Sequence, residues 1–201
     1  MAIVAFGTAS GAPKESASGA QVVAFFEAHG TQQQVSDTLW ALAVGFFLLF
    51  AGSLRAHLRR PPAAEALGSL MLAGAAVVTC GATVYIGFDY TLATSANHLA
   101  PAAAQALNMV ALKLILPLVV GLFVFGLASG LAILRGAQLP KWLGWAALAI
   151  GIIAVTPIGL VGLGLLVLWT PTVGVLVWRR SRFDSALPSA ESPAATQPAN
   201  G

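Results

Sequence analysis

Charge is what this sequence has least of. Only 8% of its 201 residues are Asp, Glu, Lys or Arg, where a water-soluble domain carries roughly 25%. So few charges cannot cover a water-facing surface, which leaves lipid as the solvent for much of the chain. Cysteine is almost absent too. Cys80 stands alone, and this excludes an intrachain disulfide and a thiolate metal cluster. Set between Thr79 and Gly81 in an apolar stretch, it reads as a small buried filler, inert because apolar surroundings disfavour the thiolate. Catalytic signatures are missing as well. There is no phosphate-cradling Gly-x-x-x-x-Gly-Lys, no His-Glu-x-x-His and no Gly-x-Ser-x-Gly. No Asp or Glu falls inside a long apolar run, so no proton relay is evident within the spans.

What is present is apolar sequence: hydrophobic residues make up 58% of the chain, and the mean hydropathy is +0.84. A membrane-crossing helix needs about 20 apolar residues at about 1.5 Å each. Four blocks qualify. The first, about 38–54, has Ser36 or Asp37 as its expected N-cap and is closed by Arg55, Arg59, Arg60 and Pro61-Pro62. The second, about 66–88, carries no charge. The third runs over about 105–134 and is closed by Arg135. The fourth, 142–178, would make a single helix about 55 Å long, so Thr156-Pro157-Ile158-Gly159 is read as a turn dividing it into spans over about 140–156 and 159–179. A kinked or re-entrant arrangement is the competing reading. The expected fold is therefore all-α, a polytopic transmembrane bundle of about five spans.

Charge placement supports that count. With the N-terminus outside, segments 55–65, 135–141 and 179–201 face inward and hold eight of the ten Lys and Arg residues, as the positive-inside bias requires. Only Lys14 and Lys113 fall elsewhere. The formal charge of +3 therefore points to membrane flanks and not to nucleic acid. Trp142, Trp145 and Trp178 fall near the inner surface and Trp40 near the outer one, while Trp169 lies mid-span and is expected to pack between helices. Residues 1–36 read as an extracytoplasmic segment with a short amphipathic surface helix over 21–30, on which Val22, Phe25, Phe26 and His29 share one side. Residues 181–201 read as a Ser/Ala/Pro-rich disordered cytoplasmic tail. The expected location is the plasma membrane, with both faces of the chain fixed by these charges.

Site candidates are few. Lys113 is the one charge inside an apolar block. Counting 20 residues back from Arg135 puts it at the outer interface, where its stem stays in lipid and its ammonium reaches water. Asp89 lies at the same level, so a Lys113–Asp89 pair is expected to be within reach. His29, His57 and His98 lack neighbouring Cys or paired carboxylates and read as surface residues, with no metal or haem implied. Gly126 and Gly130, four residues apart, suit close helix packing within the monomer, and Pro117 and Pro171 are expected to kink their helices. No cofactor is called for.

Val22–His29 (VVAFFEAH), Ala51–Arg60 (AGSLRAHLRR) and Leu131–Trp145 (LAILRGAQLPKWLGW) resemble a family of multi-pass integral membrane proteins of unknown function common in high-GC bacteria. The resemblance covers most of residues 20–180 and carries no catalytic residues over. It implies a further helix before the Val-Ala-Phe-Phe segment, with Met1–Phe6 as that helix's tail and six spans in the full form.

Three functions follow as expectations. A non-enzymatic structural or regulatory component, in contact with lipid and with another membrane protein or a second copy, fits the scarcity of sites best. A small transporter or channel subunit would need Thr79, Thr83, Asn108, Ser129 and Thr156 to line one path. A membrane enzyme would need Asp89, Tyr90, His98 and Lys113 to converge at the outer surface.

Overall fold

The computed structural model describes residues 13–58, 62–136, 139–156 and 159–186. Among these, all regular structure is helical: α1 Gly19–Leu58, α2 Pro62–Ser95, a 3-10 turn Ala96–His98, α3 Pro101–Lys113, α4 Ile115–Gly136, α5 Lys141–Ala154 and α6 Gly159–Ala186. The segment Met1–Phe6, expected to be a helix tail, lies outside the described residues, as does the Pro157-Ile158 turn itself.

Helix α1 corrects the expected layout. The surface helix over 21–30 is not a separate element but the opening turns of a 40-residue helix. Its start is a capping box: the Ser18 amide donates to Gln21 Oε1 (2.9 Å) and the Gln21 amide to Ser18 Oγ (3.4 Å). No proline follows until Pro61, so nothing stops the helix, and Ser36 and Asp37 cap nothing. They are interior, buried positions. Gly30 is tolerated mid-helix because α2 passes close by; a Cβ there would lie 2.8 Å from the Ala93 carbonyl oxygen.

The third apolar block is also interrupted. Pro117 has no amide hydrogen, and its ring clashes with the carbonyl four residues back, at Lys113. The chain accordingly breaks at Leu114 and resumes as α4 with Pro117 in the first turn. Helix α6, by contrast, continues through Pro171, and it extends to Ala186, past the expected start of the tail.

Helices α1, α2, α4, α5 and α6 pack antiparallel in chain order, with α4 against both α2 and α5. The contacts are close because glycine makes them so. A Cβ on Gly121 would lie 2.6 Å from the Val78 nitrogen of α2. A Cβ on Gly126 would lie 2.7 Å from the Gly151 Cα of α5, and one on Gly130 would lie 2.7 Å from the Gly144 oxygen. The Gly126/Gly130 pair thus packs inside the monomer. Over these seams lies the main core, where Phe125 meets Phe47 (centroids 5.0 Å apart) and Trp169 (6.1 Å) edge-on. Trp169 is buried between helices as expected, and its indole nitrogen donates to the Leu143 carbonyl of α5 (3.2 Å). Gly162 of α6 lies against Ala154 and Ile150. Together these contacts make α5 and α6 an antiparallel hairpin, so the fourth apolar block does fold back on itself.

A second, smaller core sits at the other end of α1. Val22 and Phe26 bury against Leu92 and Ala93 of α2, Ala96 of the 3-10 turn and Ala104 of α3. The apolar side expected to rest on the membrane surface is therefore covered by protein. Cys80 is exposed on α2, not buried. An apolar setting does not distinguish inward from outward positions on a helix whose outer face also lacks polar groups.

Replacing Gly126 or Gly130 with Val should lower stability by about 1–3 kcal/mol through overpacking. Gly164→Ala, where nothing lies within 4 Å of the added Cβ, should be neutral or slightly stabilising. Thermal unfolding of the detergent-purified variants measures both.

Candidate functional site

Between the two cores, α1 and α2 bring polar groups together. Gln33 and Asp37 are one helical turn apart on α1 and share a face. Opposite them stands Asp89 of α2, and Gln33 Nε2 donates to Asp89 Oδ2 (2.6 Å). Gln33 thus ties Asp89 to the helix face that carries Asp37, and the two carboxyl groups lie close enough to disfavour each other's charge. Both are buried, at 2% and 7% exposure. Tyr85 is one turn before Asp89 on α2 and shares its side of the helix. Asp37 Oδ2 and the neighbouring Ser36 Oγ are buried without a hydrogen-bond partner. A contact between two carboxyl groups out of water persists only with a proton or another cation between them.

The sequence candidates do not assemble as expected. Lys113 does not pair with Asp89. Its ammonium lies 2.5 Å from Glu15 Oε1, with the two side chains 60% and 53% exposed. The break at Leu114 ends α3 at Lys113, and its side chain meets the Lys14–Glu15 loop ahead of α1. Tyr90 points away from its neighbour Asp89 and is exposed, as are His98, His29 and His57. Among the described residues, no hydrogen bond or ion pair joins any two of Asp89, Tyr90, His98 and Lys113, and no group of three His, Cys, Asp or Glu side chains is placed to hold a metal.

The five polar positions proposed for a path are also dispersed. The Thr83 hydroxyl donates to the Thr79 carbonyl, Ser129 to Gly126 and Thr156 to Ile153, each within its own helix or turn. Asn108 donates to the Lys14 carbonyl near the small core (3.5 Å). A groove of about 910 Å³ opens beside that core, lined by Glu27, His29, Gln34 and Asn97 among others, and the carboxyl pair is not part of its wall.

Sequence reasoning missed Asp37 as a site residue. The available signal was the capping box at Ser18, which starts the helix at Gly19 and turns Asp37 from a cap into an interior carboxylate. No protein-family model matches the chain, and no curated protein or solved structure matches it.

Gln33→Ala removes the one amide donor to Asp89 and should destabilise the fold by about 1–3 kcal/mol. Lys113→Met breaks only an exposed pair and should cost no more than about 1 kcal/mol. A melting comparison in which Lys113→Met proved the more damaging would reverse this ranking of the two sites.

Proposed function

We propose that the chain is a multi-pass protein of the plasma membrane, with its N-terminus outside and its C-terminus cytoplasmic, serving as a non-enzymatic structural or regulatory component. The supporting observation is a lipid-suited exterior. Three stretches, Gly19–Leu58, Glu65–His98 and Pro101–Arg135, are long and apolar enough to cross a bilayer. Their outward side chains are large and apolar: Phe46 is 67% exposed, Leu49 68% and Leu116 63%. In water such a surface would aggregate.

Read as two crossings, the hairpin α5–α6 would bring the count to five, and it is short. Fourteen residues of α5 extend about 21 Å, less than the roughly 30 Å hydrocarbon layer. The orientation does not depend on whether its turn emerges on the far side. Arg135 and Lys141 enter the hairpin and Arg179 and Arg180 leave it, on one side in either case, the side that also holds Arg55. The exposed Trp142 and Trp145 suit the headgroup zone there. The likeness to multi-pass proteins of high-GC bacteria belongs to the same reading.

The other two functions find less support. A transport path would need polar groups in one line, and these are spread over α2, α3, α4 and the Thr156 turn. An outer-surface enzyme would need Asp89, Tyr90, His98 and Lys113 to converge, and they do not.

In a Cys80→Ser background, cysteines placed at Glu27 and His57 should report the topology in intact cells. Glu27→Cys should react with a membrane-impermeant maleimide, and His57→Cys only after permeabilisation. The opposite pattern would invert the orientation, and release of the protein by alkaline carbonate would reject membrane integration.

A further inference from the structure

We propose that Asp37 and Asp89, with Gln33 beside them, form a binding site for a hard divalent cation of the calcium type. The donor set carries the chemistry. Two carboxylates supply oxygen, with the Gln33 amide beside them, and no thiolate or imidazole joins them among the described residues, which suits calcium or magnesium rather than zinc or copper. Calcium tolerates the irregular geometry of a site shared by two helices and fills its remaining positions with backbone oxygens or water.

The charge balance points the same way. Among the described residues no Lys, Arg or His forms an ion pair with either carboxyl; Gln33 donates to Asp89, and Tyr85 stands one turn before Asp89 on α2. On α3, which packs over both helices, the buried polar group is Asn108, and Lys113 at its end is engaged by Glu15. A monovalent ion would leave one buried carboxylate uncompensated, whereas a divalent ion neutralises both.

A second observation is independent of the carboxyl pairing. Asp37 Oδ2, one helical turn from the Gln33 that holds Asp89, is buried and accepts no hydrogen bond. A buried carboxylate oxygen without a donor is a ligand position awaiting an acceptor of its lone pairs. Gln33 presents its amide nitrogen to Asp89, and a half-turn of the amide would present its oxygen instead. Cation binding would take the place of a proton shared by the carboxyls and would tie α1 to α2 where both leave the apolar layer. This inference does not depend on the number of crossings.

Terbium serves as a luminescent stand-in for calcium, with Tyr85 close enough to sensitise it. The purified full-length protein in detergent should give saturable terbium emission that calcium displaces. Asp37→Asn and Asp89→Asn should each weaken terbium binding about ten-fold or more, while Glu27→Gln, exposed elsewhere on α1, should leave it unchanged. Binding that both Asn variants retain, or no saturable emission, would overturn the proposal. A second measurement needs no variant. Saturating calcium should remove the infrared band of a protonated carboxyl from the unaltered protein, and persistence of that band would mean the pair holds a proton only.

Discussion

Helix α4 meets its two main neighbours through glycine, and the arrangement of the bundle follows from that. In lipid, helices gain nothing by hiding apolar surface from one another, because the surrounding acyl chains are equally apolar. What remains is van der Waals contact, which falls off within an ångström or so of the optimum. Gly121 admits α2, and Gly126 and Gly130 admit α5, each at a separation that one added methyl group would violate. With α2 and α5 drawn in, Phe125 is held among Phe47 and Trp169, and the α5–α6 hairpin is fixed by the indole bond from Trp169 to Leu143.

The position of α2 then determines the polar layer. Helices α1 and α2 run past the ends of their apolar runs and close over a second core around Val22, Phe26 and Leu92. Asp37 and Asp89 fall between the two cores, cut off from water by packing on both sides. Burial is unfavourable for such groups unless something compensates them. Gln33 compensates one oxygen of Asp89, and a proton or a cation must compensate the rest. The carboxyl pair is therefore the place where this otherwise apolar structure retains chemistry.

Much of this was legible from residue patterns, for reasons specific to each element. The break in the fourth apolar block was readable because a helix of 37 residues overshoots a bilayer and Thr-Pro-Ile-Gly is a natural stop. Trp169 was readable because an indole in mid-span needs a partner for its N–H. Gly126 and Gly130 announced a close approach, though not that α5 would answer with Gly144 and Gly151. Asp37 was misread because Asp before an apolar run looks like an N-cap, and only the Ser18–Gln21 capping box, about five turns upstream, removes that role. Lys113 was misassigned because its partner Glu15 lies nearly a hundred residues away, in a loop whose path no periodicity reveals. Cys80 was placed inside because apolar sequence marks a span without marking its inner face.

On the proposed membrane reading, α1 is one helix with two solvents, water around its first turns and lipid around its later ones. Nitroxide labels on single cysteines in a Cys80→Ser background, read by electron paramagnetic resonance in lipid nanodiscs, test it directly. Labels at Phe46 and Leu49 should collide with dissolved oxygen and be shielded from a water-soluble nickel chelate, while labels at Glu27 and Thr31 should show the reverse. Ready access of the chelate to positions 46 and 49, equal to that at 27 and 31, would contradict the account.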